Sequence, residues 1–171
     1  MKLYIVRHAD ALDVGQQGIT KDHDRPLSDE GIRRAEEAGR ALRAMDVRLD
    51  RVGASPLLRA SQTARILAQA AAPDAPVETC PFLAPGACAR DVAGWMNRST
   101  GQALMIVGHM PDLGHITAAF ISKPAAAALV FKKGAIACLD FPKRVEPGAA
   151  ELEWLMQPAQ LRAVDSGGGR R

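Results

Sequence analysis

Two short apolar runs, Leu3-Tyr4-Ile5-Val6 and Leu104-Met105-Ile106-Val107, lie far apart in the chain and end alike. The first leads into Arg7-His8-Ala9-Asp10, the second into Gly108-His109-Met110-Pro111. Runs this short and this apolar read as strands buried on both faces, which need helices packed on each side. An open α/β sheet gathers its chemistry at the carboxyl ends of its strands, so histidines just past two such ends are expected to face one cleft. The chain has four histidines in all, and two sit in this way.

The sequence between and beyond these runs alternates in period. Lys2 to Val6 is expected as strand. Ser28 reads as an N-cap with Asp29 and Glu30 in the first turn, and Ile32, Ala35, Gly39, Leu42 and Met45 recur at helical spacing behind it. Arg51 to Ala54 is a second strand, ended by Ser55-Pro56 before a helix from about Leu58 to Ala71. Val77 to Thr79 and Ala103 to Val107 supply further strands, and Asp112 is expected to cap a helix over Leu113 to Ile121. Ala135 to Phe141 and Glu151 to Met156, separated by Pro147-Gly148, read as a hairpin or neighbouring strands. The expectation is an α/β fold, a three-layer α/β/α sandwich on a mostly parallel sheet with an antiparallel edge strand. Residues 1–165 would form one domain, Pro73 to Gly86 would be irregular, and 166–171 would be a frayed tail.

A chain of 171 residues, 47% hydrophobic and 24% charged, suits one domain with a substantial core. Its 22 Lys and Arg against 19 Asp and Glu leave a net charge of +3, too weak and dispersed to argue for nucleic acid. No run is long enough to span a bilayer and the N-terminus lacks an apolar leader segment, so no membrane partner and a cytoplasmic location are expected. Cys80, Cys88 and Cys138 form no C-x-x-C pair and read as reduced structural thiols. No Gly-rich loop follows the first strand, which argues against a nucleotide-binding Rossmann unit.

Residue chemistry narrows the cleft further. A neutral imidazole carries a lone pair near neutral pH and is a good nucleophile toward phosphorus. A phosphoryl group in transfer spreads charge over three equatorial oxygens, which guanidinium forks bind bidentately. Arg7 adjoins His8, and Arg59 falls in the first turn of a helix, where backbone amides also favour an anion. His109 would donate to an equatorial oxygen.

Ile5-Val6-Arg7-His8-Ala9, Ser55-Pro56-Leu57-Leu58-Arg59-Ala60-Ser61-Gln62-Thr63-Ala64 and Val107-Gly108-His109 resemble the three signature segments of the histidine phosphatase superfamily, also called phosphoglycerate mutase-like. Asp24-Arg25-Pro26-Leu27-Ser28 and the short chain resemble its SixA-type branch of phosphohistidine phosphatases. The resemblance implies a two-step phosphoryl transfer with His8 as nucleophile and with Arg7, Arg59 and His109 holding the phosphoryl oxygens. It implies no metal or organic cofactor, since side-chain charge takes that role. The ring nitrogen of His8 that does not attack should donate to a fixed acceptor, which the sequence does not identify.

One departure bears on the substrate. Relatives that cleave phosphate esters usually carry an acid directly after the second histidine or in the segment after the middle strand. Here Met110 follows His109, and Leu83-Ala84-Pro85-Gly86 holds no carboxylate. A missing general acid typically costs on the order of a hundredfold, whereas an imidazole leaving group can depart already protonated. The expected substrate is therefore phosphohistidine on a protein domain, with a small phosphoester as the alternative and a non-catalytic phosphate-binding relative as the third. Asp10 is a fallback acid or substrate contact against the plainer reading of a turn former; Glu78 and Asp91 have less in their favour. Arg25 either contacts substrate or pairs with Asp24 at the helix entry. Asp22-His23-Asp24 reads as a solvated turn rather than a metal cluster, His115 as an ordinary helix residue, and Trp95 and Trp154 as packing.

Overall fold

The computed structural model describes residues 1–122 and 129–167. Within these residues six strands form one sheet: β1 (Lys2–Arg7), β2 (Arg51–Ala54), β3 (Val77–Thr79), β4 (Ala103–Gly108), β5 (Ile136–Asp140) and β6 (Glu151–Met156). Their order across the sheet is β3-β2-β4-β1-β5-β6. The first four run parallel; β5 pairs antiparallel with β1, and β6 antiparallel with β5, so the reversed strand lies one place in from the edge. Among the described residues five helices flank the sheet: α1 (Asp29–Ala44), α2 (Leu58–Ala71), α3 (Ala89–Asn97), α4 (Asp112–Ile121) and α5 (Pro158–Gly167).

Side-chain alternation along the central strands builds two cores. Leu3, Ile5, Leu104 and Ile106 point to one face and pack with Val92 and Met96 of α3 and Ile116 and Phe120 of α4. Tyr4, Val6, Met105 and Val107 point to the other, against Leu42 of α1, Ala64 and Leu67 of α2, and Leu161 of α5. A strand buried on both faces has no polar side to alternate with, which is why β1 and β4 read as unbroken apolar runs. The layers are α/β/α, as the sequence implies.

Several local expectations change. Asp112 does not cap α4: Pro111 precedes the helix, and the Asp112 carboxylate accepts from the Gly86 amide at 2.7 Å. Ile32 is 38% exposed, because the buried stripe of α1 turns through Ala35, Ala38 and Leu42 instead. The stretch from Pro73 to Gly86, which holds β3 where a strand is expected, also forms a 3-10 turn at Pro81–Leu83. Helices α3 and α5 add to the sequence reading, and α5 takes in Ser166 and Gly167 from the supposed tail; positions 168–171 lie outside the described residues. Ser28 does cap α1, accepting from the Gly31 amide at 3.1 Å. Among the described residues no helix is long and apolar enough to cross a membrane.

Candidate active site

Arg7 of β1 and Gly108 of β4 are register partners at the carboxyl ends of adjacent parallel strands. The residues that follow, His8 and His109, therefore emerge side by side, with ring centroids 5.1 Å apart. The His8 amide also donates to the Gly108 carbonyl at 3.2 Å, which holds the two strand ends together. Beside them Ser55 follows the end of β2, its amide donating to the Val107 carbonyl, and α2 starts beyond Pro56. That start swings Arg59 over the pair, and its Nε donates to His8 Nε2 at 3.3 Å. His8, Arg59 and His109 are only 6–7% exposed.

The His8 Nδ1 lies 2.7 Å from the Ala9 carbonyl oxygen. A carbonyl can only accept, so Nδ1 carries the proton and Nε2 presents its lone pair to Arg59. Ala9 is fixed in turn: its amide donates to Thr63 Oγ1 at 3.1 Å, and the Thr63 hydroxyl donates to the Arg59 carbonyl at 2.7 Å. Burial pushes the His8 pKa down to about 3, with His109, Arg59 and Arg7 adding to the fall against the Ala9 hydrogen bond. Burial likewise takes His109 to about 4, with Arg59 next in effect. Both rings are neutral at pH 7, and His109 Nε2 shares a 2.7 Å hydrogen bond with the Ser55 hydroxyl.

The Ser55-to-Thr63 segment can thus be read residue by residue. Ser55 holds His109, Arg59 reaches His8, Gln62 Oε1 accepts from the Leu27 amide at 2.7 Å, and Thr63 holds Ala9. One helix start ties both histidine loops and the entry to α1 into a single frame.

Arg7 directs Nη1 to the Phe131 carbonyl at 2.7 Å, and its buried Nε has no partner. Its charge lowers the pKa of both histidines, which places it with the cluster. Arg25 and Asp10 are engaged elsewhere. Arg25 does not pair with Asp24: it clamps the preceding loop through the Leu12 carbonyl at 2.5 Å, Asp13 at 2.7 Å and Asp22 at 2.9 Å. The Asp10 carboxylate meets Arg34 at 2.8 Å and Lys133 at 3.6 Å. Glu78 is held by Arg51 and the Trp95 indole, and Asp91 accepts from Cys88.

Asp22 is the residue that sequence reasoning passed over. Arg59 donates to its carbonyl at 2.8 Å and its carboxylate at 3.0 Å. The charge of Asp22 also acts on His109. Arg25 and Arg59 hold the Asp22 carboxyl below the usual carboxylate range. The signal that could have found it is the need of a buried guanidinium for a counter-charge. His23 and Asp24 are exposed, and among the described residues no three His, Cys, Asp or Glu side chains converge as metal ligands would.

A three-layer sandwich with paired histidines at its central strand ends is the phosphoglycerate mutase-like architecture, and the comparisons agree. The family model described as Histidine phosphatase superfamily (branch 1) matches residues 3–84. An uncharacterized protein of Picosynechococcus is 34% identical over 139 residues, spanning 80% of this chain and 82% of its own. Phosphohistidine phosphatase SixA of Escherichia coli is 26% identical over 166 residues, 95% of this chain and 97% of that one. A solved structure of the protein histidine phosphatase SixA with tungstate superposes with a TM-score of 0.80 at 27% identity, covering 94% of this chain and 99% of that one. The chain belongs to the histidine phosphatase superfamily and is SixA-like in sequence and structure; its class of activity is that of a phosphatase.

Proposed function

We propose that the chain hydrolyses phosphohistidine on a protein domain through a phosphohistidine intermediate on His8. The observation that carries this reading is the state of the carboxylates: Asp22, which reaches the cluster, is held ionised by two arginines, and Asp10 is ion-paired. With Asp22 held ionised and Asp10 tied to Arg34 and Lys133, the pocket suits a leaving group that needs no proton donor.

In the first step the His8 Nε2 lone pair bonds to phosphorus while the phosphorus–nitrogen bond of the substrate breaks. The departing imidazole, protonated on its far nitrogen, takes back its electron pair and leaves neutral. His8 acquires the ring charge, and its Nδ1–H, already donating to the Ala9 carbonyl, stabilises that charge. In the second step water adds to phosphorus, the bond to Nε2 returns its pair to His8, and the two water protons leave on dihydrogen phosphate. Arg59, released from Asp22 by the incoming anion, joins Arg7 and His109 on the phosphoryl oxygens.

A small-molecule phosphomonoesterase using the same pocket is the second reading. The observation in its favour is Asp22 itself, a carboxylate adjoining Arg59 that could protonate an alkoxide if Arg25 let go. A purely phosphate-binding role gives no reason for a buried neutral nucleophile. The test pairs a phosphohistidine-bearing protein with a panel of phosphate esters. Turnover of the former should dominate, and His8→Ala should abolish both turnover and trapping of a labelled phosphoenzyme. Efficient ester cleavage without phosphohistidine cleavage defeats the substrate assignment, and an active His8→Ala protein defeats the mechanism.

A further inference from the structure

Beside Arg7 the structure opens a second cleft, of about 510 Å³, that the steps above do not use. Its walls come from three parts of the fold. Arg34 lies on α1, Lys132 and Lys133 precede β5, and Arg162 lies on α5. Because β5 runs antiparallel to β1, its start lies where β1 ends; β6 runs in the sense of β1, so α5 also begins there. The cleft therefore opens at the same sheet end as the histidines.

Five basic side chains line the cleft against two acidic ones, Asp10 and Glu37. Asp10 is shared by Arg34 and Lys133, and Glu37 is taken by Arg33. Among the described residues this leaves Arg7, Lys132 and Arg162 with no carboxylate partner. The first turn of α5 carries no acidic residue. The walls are tied together: the Lys132 amide donates to the Gln157 side chain at 3.0 Å, which donates to Val130 at 2.8 Å. Unpaired cations on a braced concave surface are a site for an anion.

We propose that this cleft binds a carboxylate flanking the phosphoryl group of the substrate, supplied by acidic side chains beside the phosphohistidine. Arg7 then stands between two anion sites, one for the phosphoryl group and one for its acidic neighbour. The inference rests on the phosphatase reading above and extends it to substrate selection.

The test compares the intact protein with Lys132→Glu, Arg162→Glu and the double variant, each checked for an unchanged thermal midpoint. If a Glu variant fails to fold, Lys132→Gln and Arg162→Gln replace it. The probes are a phosphohistidine domain with acidic flanks, the same domain with those acids changed to amides, phosphoglycolate and ethyl phosphate. For a probe that is not turned over, a calorimetric dissociation constant replaces KM. The double variant should raise KM for the acidic domain roughly tenfold while leaving its kcat, the amide domain and ethyl phosphate within about twofold. A loss confined to phosphoglycolate upholds the cleft and assigns it a small carboxylate instead. Equal change on all four probes, or none on any, overturns it. Failure of the intact protein to cleave phosphohistidine would refute the phosphohistidine reading separately, and the ratio of phosphoglycolate to ethyl phosphate would still decide the cleft.

Discussion

Keeping an imidazole unprotonated inside a protein has a consequence at low pH. An unfolded chain protonates His8 near its ordinary value of 6.5, while the folded chain resists down to about 3. Above 6.5 both states hold the neutral ring and nothing is lost. As pH falls from 6.5 toward 3, the unfolded state binds a proton that the folded state refuses, so stability drops. His109 adds to the drop between 6.5 and about 4. Each contributes a slope of at most about 1.4 kcal/mol per pH unit. Denaturant midpoints between pH 7 and pH 4 should fall, and His8→Asn should flatten that fall; an unchanged slope would contradict the neutral buried ring. Ser55→Ala tests the second histidine. With its 2.7 Å partner gone, His109 should lose orientation and kcat should fall roughly tenfold with little change in thermal midpoint. His8, His109 and Arg59 are legible in sequence because their residue types carry the chemistry and their places at strand and helix ends are set by local pattern. Asp22 is not, because its partner Arg59 is 37 residues away and nothing local marks a loop carboxylate as a counter-ion.

At the scale of elements, the pocket depends on how closely α1 approaches the loop after β1. The Asp10 carbonyl accepts from the Ser28 amide at 3.0 Å, and a Cβ on Gly31 would come within 1.9 Å of that same oxygen. Only glycine allows this contact, and the oxygen is backbone, so it cannot swing aside. Gly31→Ala should destabilise the fold by about 1–3 kcal/mol and shift the loop carrying His8, with kcat falling alongside the thermal midpoint. A variant with native stability and activity would show the approach to be dispensable. The strongest signals in the sequence are the unbroken runs of β1 and β4 and the cap of α1, and weaker ones mark the other strands and α2 and α4. The two missed helices have physical reasons to be faint. Helix α3 spans nine residues with no side-chain cap, and α5 buries only Leu161 fully, too little to establish a period.

The molecule as a whole is one sheet with a core on each face, and β1 and β4 belong to both. Their side chains alternate between the cores, so neither core can melt without loosening the strands that carry His8 and His109. Unfolding should therefore be a single event in which structure and activity are lost together. The two tryptophans make this measurable, because each lies on a different face. Trp95 is buried with Leu83 and Met96 in the core under α3 and α4, whereas Trp154 packs against Tyr4 and the opposite core. Trp154→Phe leaves a reporter on the first face, and Trp95→Phe leaves one on the second. Each variant shifts its own midpoint, so each is compared with loss of its own phosphatase activity in the same denaturant series. Within each variant the fluorescence and activity curves should superpose. Activity that disappears well before the fluorescence of either face would mean that the strand ends open locally, and that the site is held by its loops rather than by the paired cores.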